Sequence, residues 1–140
     1  MKSPSLSARS RRGPDRDRGG RLIRRAPTID SFGAGGFRVG GAWRPGSLLI
    51  LDDVAASWRP RSLIDVTLGD FAAVLDAGPA VSEFVLLGTG ATQAPPPRAL
   101  RLALEQAGLG LEFMSTQTAA RTYDLLVSEG RRLAAALICV

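Results

Sequence analysis

Histidine is absent from the 140 residues of this chain, which removes Ser-His-Asp and Cys-His nucleophile pairs, histidine-ligated zinc and imidazole acid–base chemistry. Cysteine occurs once, at Cys139, so neither a disulfide framework nor a cysteine metal cluster can form within one chain. The only lysine is Lys2, in a stretch unlike any P-loop. Long apolar runs are missing too. The longest, Leu133 to Val140, falls far short of the ~20 residues that cross a bilayer. What is present, 45% apolar and 22% charged residues, is the composition of a globular protein, and ~110 ordered residues can hold a core without disulfides or metals. One domain is expected.

Charge divides the chain in two. Residues 1–25 hold nine basic side chains against Asp15 and Asp17, whereas residues 26–140 hold nine against eleven acidic ones. The net +5 therefore describes a tail, and nucleic-acid binding by the folded body is not implied. Residues 1–25 read as a disordered basic tail and residues 26–140 as a single α/β domain. The tail lacks the apolar stretch of a secretory signal, and its acidic residues and Gly/Pro content weaken a mitochondrial presequence. A bacterial cytoplasm is expected, with the mitochondrial matrix as the alternative.

From about Thr28 the sequence TIDSFGAGGFRVGGAWRPGSLLILDD predicts short strands joined by glycine turns, with Ile29, Phe32, Phe37, Val39 and Trp43 on one face. Ser47–Leu51 reads as a buried strand that Asp52-Asp53 ends, and Trp58 reads as an anchor under a loop. Thr67 and Asp70 have capping spacing before a first helix whose Leu68, Phe71, Ala72 and Leu75 share a face, and Gly78-Pro79 stops it. Glu83–Leu87 predicts a central strand. Prolines 95–97 precede a second helix ending near Gln106, and Leu111–Met114 predicts another strand. Ser115 or Thr116 caps a third helix with Ala119, Ala120, Tyr123, Leu126 and Val127 on one stripe, Gly130 stops it, and a buried strand follows from Leu133. Strand, helix, strand, helix, strand argues for a largely parallel sheet with crossover helices.

In such a sheet, ligands gather beyond the carboxyl ends of strands, where helix N-termini favour anions. Gly88-Thr89-Gly90 and Ser115-Thr116 would meet there. Gly88 and Gly90 can let an anion approach the backbone, Thr89 and Thr116 can donate, and Arg121 can add charge. The alternative is structural: the glycines permit a tight turn, the threonines cap, and Arg121 is solvated or pairs with Asp124. The loop lacks the third glycine of a dinucleotide fingerprint. Asp52-Asp53, Glu112 and Glu129 form no compelling acid–base pair, Glu129 standing beside Arg131 and Arg132 as a local ion pair. Cys139, between Ile138 and Val140, reads as a buried, inert thiol.

The segments LLGTG (Leu86–Gly90) and EFMSTQTAARTYDLLVSEGRRLAAALI (Glu112–Ile138), with GGFRVGGAWRPGSLLIL (Gly35–Leu51) upstream, resemble a family of small single-domain proteins. It includes mitochondrial NADH dehydrogenase (complex I) assembly factor 3 and many uncharacterised bacterial proteins. Met114, Thr116, Ala119, Thr122, Tyr123, Glu129, Gly130 and Arg131 match its third-helix pattern, and Asp124 replaces the usual asparagine. The resemblance implies a three-layer α/β fold with a mixed central sheet. It implies no catalytic residue, cofactor or metal. It implies instead a chaperone-like protein whose partners are respiratory complex subunits or a second assembly factor, with any membrane association through a partner. The competing expectation is a small-molecule or anion-binding protein using Gly88–Gly90, Thr116 and Arg121. A third is tail-driven association with anionic lipid or nucleic acid.

Overall fold

The computed structural model describes residues 24–140; most of the expected basic tail, residues 1–23, lies outside the described residues. Among the described residues eight strands and three α-helices follow in order: β1 (Ile29–Gly33), β2 (Gly36–Val39), β3 (Ala42–Pro45), β4 (Ser47–Leu51), β5 (Val54–Trp58), α1 (Ala72–Ala77), β6 (Phe84–Gly88), α2 (Arg98–Gln106), β7 (Gly110–Met114), α3 (Thr116–Ser128) and β8 (Leu133–Leu137). Strands β1-β2-β3 form a small antiparallel sheet, and the other five form a sheet in the order β5-β4-β8-β6-β7.

The large sheet is mixed. Pairings β8–β6 and β6–β7 are parallel, joined through α2 and α3, whereas β4 lies antiparallel to both β5 and β8. The parallel half is the part that alternates helix and strand in the sequence, because a parallel neighbour needs a long crossover and an antiparallel one only a hairpin. Between β4 and β5 that hairpin is Asp52-Asp53, both at positive φ (51° and 64°), as a two-residue turn of the primed type requires.

Alternate residues of each central strand build two cores. Leu48, Ile50, Leu86, Ala135 and Leu137 face α3 and the small sheet, where Tyr123, Ala119, Ala120, Phe37, Ile29 and Val39 meet them. Val85, Leu87, Ala134, Ala136 and Ile138 face α1, α2 and Trp58, which closes strand β5 rather than sitting in the expected loop. The result is three layers. Strand β8 is buried along its whole length, and its three central alanines keep both layers close to the sheet.

Trp58 is the expected anchor: its Nε1–H donates to the Asp70 carbonyl at 2.9 Å and its ring meets Phe71 edge-on at 5.4 Å. Elsewhere the details differ from the sequence reading. The segment after Thr67 opens as a tight 3₁₀ turn, Leu68–Phe71, before α1. The tighter winding turns Leu68 outward, so Phe71 and Val74 carry the buried face. Trp43 is 45% exposed, its ring lying so near Gly36 that a Cβ there would sit 2.8 Å from it. Strand β8 ends at Leu137, leaving Cys139 half-buried with its N–H donating to Ser47 Oγ at 3.0 Å.

Candidate functional site

Strands β6 and β7 are parallel neighbours, so their carboxyl ends bring Gly88-Thr89-Gly90 and Ser115-Thr116 together. The contact is a closed network. Thr116 Oγ1 donates to the Ile138 carbonyl at 2.7 Å and accepts from Gly90 N–H at 3.0 Å, and Thr116 N–H donates to the Gly90 carbonyl at 2.8 Å. Thr89 Oγ1 donates toward the Thr92 and Met114 carbonyls at 2.7 and 3.1 Å and accepts from Ala94 N–H. Thr89 N–H donates to the Met114 carbonyl at 2.8 Å. Both threonine side chains and the Gly90 N–H are therefore engaged within the chain, the hydroxyls by backbone carbonyls and the amide by Thr116 Oγ1. Gly88 is required by close approach, since a Cβ there would fall 2.9 Å from Leu137 Cδ2 and 3.1 Å from Thr116 Cα. Ser115 caps α3 by accepting from Thr118 N–H.

Arg121 is directed elsewhere. It lines an open recess of about 480 Å³ between α3 and β1, with Asp30, Phe32 and Asp124. Asp124 accepts from Ile29 N–H at 2.9 Å rather than pairing with Arg121, and burial, with Asp30 nearby, holds its carboxyl above the usual range. Tyr123, one residue earlier, is buried with its hydroxyl donating to the Pro27 carbonyl at 2.8 Å, and burial pushes the phenol up. These two neighbours hold the chain leading into β1. Arg24 holds it further back, pairing with Asp53 at 2.9 Å and donating to the Arg131 carbonyl.

The other flank of α3 is different. Helix α3 packs over β6 and β8 and leaves the same face of the edge strand β7 largely open. A groove of about 310 Å³ results, with Phe84, Leu86, Met114 and Leu126 as its apolar surface and Glu112, Thr122 and Arg131 as its polar margin. Three residues of the family pattern, Met114, Thr122 and Arg131, thus line one feature. Arg131 is fixed by Glu83, at 3.0 Å, and lies over the Phe84 ring at 5.4 Å. This pairing with Glu83 replaces the expected local pair with Glu129. Gly130, at φ 85°, ends α3, and the Arg131 N–H returns to the Leu126 carbonyl at 2.9 Å in a Schellman-type turn, which sets Arg131 at the groove. Glu129 occupies the capping position just before it.

Phe84, Leu86 and Leu126 were legible only as strand and helix residues, and Thr122 only as a match to the family pattern, because a groove needs a strand order, and strand order is tertiary. One local signal existed: a single charge, Glu112, in the middle of the otherwise uncharged Gly110-Leu111-Glu112-Phe113-Met114 marks a strand with one open face. Asp52 and Asp53 line a separate small recess from Glu112, so these carboxylates do not share a site. Among the described residues no group of three or more Cys, Asp or Glu is placed to hold a metal ion, and no helix is long and apolar enough to cross a membrane.

The model of the family described as "Protein of unknown function (DUF498/DUF598)" matches residues 29–138, the whole of both sheets and all three helices. The chain belongs to this family. An uncharacterised protein of Rhodobacter capsulatus is 42% identical over 110 residues, covering 79% of this chain and 82% of that protein. NADH dehydrogenase [ubiquinone] 1 alpha subcomplex assembly factor 3 of Bos taurus is 35% identical over 111 residues, 79% of this chain but 59% of the bovine protein. The crystal structure of an outer membrane protein from Bartonella henselae superposes with a TM-score of 0.76 at 32% identity, covering 82% of this chain and 96% of that one.

Proposed function

We propose that this chain is a non-enzymatic protein-binding factor that assists the assembly of a respiratory NADH dehydrogenase, complex I. The observation that carries the reading is the 35% identity to bovine assembly factor 3 over 111 residues, 79% of this chain. The open apolar groove between β7 and α3 supports it, since a recess floored by Phe84, Leu86, Met114 and Leu126 suits a protein partner better than a polar metabolite. The partners are subunits of the enzyme or a second assembly factor. The site of action is the cytoplasmic face of a bacterial membrane, reached through a partner, or the matrix if the chain is mitochondrial.

The anion-binding alternative draws no support from the Gly88–Gly90 loop. Its threonine hydroxyls and the Gly90 amide are bonded within the chain, and Arg121 lines another recess. The non-catalytic reading rests on the relatives' names and on a sequence without histidine or a paired set of carboxylates. Affinity purification tests the proposal: subunits of the quinone-reducing module are expected to co-purify, and a deletion strain is expected to lose assembled NADH dehydrogenase. Normal enzyme levels in that strain would refute it.

A further inference from the structure

The groove beside β7 has one backbone wall. β7, which lines the groove through Glu112 and Met114, ends the strand order, and among the described residues nothing pairs with its outer edge, so the N–H and C=O groups of that edge, beside the groove, are free to pair. Gly110, Glu112 and Met114 lie on the α3 face of that strand, because they pair with Phe84, Leu86 and Gly88 of β6. Glu112 is exposed at the middle of the strand and has no ion pair or hydrogen-bond partner among the described residues.

Resting on the protein-binding reading above, we propose that the groove receives an extended segment of a partner protein. The segment adds as a sixth strand beside β7, with a basic side chain opposite Glu112 and an apolar one beside Met114 and Leu126. The free edge calls for a strand, since a helix laid in the groove would cover those backbone groups without pairing them. The unpaired carboxylate selects the occupant's charge. It also argues against a second copy of this chain: pairing two β7 strands about a twofold axis would set Glu112 against Glu112 in mid-strand, and like charges directly opposed destabilise a ladder. A lone inward-facing charge on an edge strand thus deters apolar and self pairing while admitting a partner that brings a cation. On the other flank Arg131 is already occupied by Glu83 and Phe84, so the groove offers Glu112 as its one uncompensated charge among the described residues.

The test places the photo-crosslinking residue p-benzoylphenylalanine at Thr122, on the α3 rim, in the full chain in cells that make it. The crosslinked peptide is then sequenced. A segment with an arginine or lysine two residues from an apolar side chain is expected. Glu112→Arg, folded as judged by an unchanged melting temperature, is expected to lower the yield about tenfold, and changing the partner's basic residue to glutamate is expected to restore it. Crosslinking to a helix or to a copy of this chain, a yield indifferent to Glu112→Arg, or no product at all would each overturn the proposal. The two readings fail separately. A charge swap that works on a protein unrelated to NADH dehydrogenase sinks the assembly role alone, and a crosslinked NADH dehydrogenase subunit that ignores the charge at 112 sinks the strand docking alone.

Discussion

Two places along β6 and β7 invite a functional reading, and they behave in opposite ways. At the carboxyl ends, Gly88, Thr89, Gly90 and Thr116 are buried and bonded to one another and to Ile138 and Met114. Along the flank, the open face of β7 presents an apolar floor and an unpaired Glu112. The first arrangement holds the strand–helix crossing together, because a buried polar atom must find its partner inside the protein. The second leaves groups unsatisfied by the chain itself, which is what a surface for another molecule needs. A glycine–threonine loop at a strand end therefore carries no ligand by virtue of its composition; what matters is whether its donors are already taken.

Substitution can sharpen that contrast, beginning with the crossing. Gly88→Ala is expected to cost about 3 kcal/mol in urea unfolding, since its Cβ would meet Leu137 and the backbone of α3. A loss below about 0.5 kcal/mol would show that the close approach is soft. Thr116→Val keeps the shape but strands the Gly90 N–H and the Ile138 carbonyl, with an expected loss of about 2 kcal/mol. Both should leave crosslinking at the groove unchanged in whatever fraction remains folded.

Away from both places, Asp70 gives a pH signature. The Arg59 guanidinium, with bonds of 2.8 Å to each carboxylate oxygen, and the Thr67 N–H hold its carboxyl at about 2, below the ordinary 3.8. This stabilisation is full above pH 3.8 and is lost as pH falls through about 2. After screening around the exposed Arg59 it amounts to about 1 kcal/mol, and Asp70→Asn should flatten that part of the acid limb.

Asp124 has the opposite sign. Its raised carboxyl means that the ionised form is penalised by folding, so Asp124→Asn, which keeps an acceptor for Ile29 N–H, should stabilise slightly at neutral pH. The gain should disappear in acid, once the carboxyl is protonated in both folded and unfolded states. A gain that persisted at low pH would remove burial of charge as its cause. Glu112→Gln, at an exposed position, should change stability by less than about 0.5 kcal/mol, while lowering capture at Thr122.

Much of this was legible locally. The stripe Ala119, Ala120, Tyr123, the stop at Gly130 and the apolar run from Leu133 are periodic or capping signals, and α3 and β8 form where they predict. Signals were weaker where short glycine-rich strands could pair in several ways. The sequence does not state that β4 lies beside β8, Leu48 opposite Leu137, nor that Trp43 packs over Gly36 outside the core. The helix opened by Thr67 was readable from its cap, but not its 3₁₀ winding, which moved the buried face from Leu68 to Val74. Of the residues expected at a site, Gly88, Thr89, Gly90 and Thr116 do meet, and Arg121 does not join them. The groove stayed hidden because it exists only once β7 is known to be an edge.

The most direct measurement is the amount of fully assembled NADH dehydrogenase in a deletion strain supplied with either the unaltered chain or Glu112→Arg, both confirmed folded and equally abundant. Assembly rescued by the unaltered chain and lost with Glu112→Arg is the result predicted here; equal rescue by both would contradict a role for the β7 groove in that process.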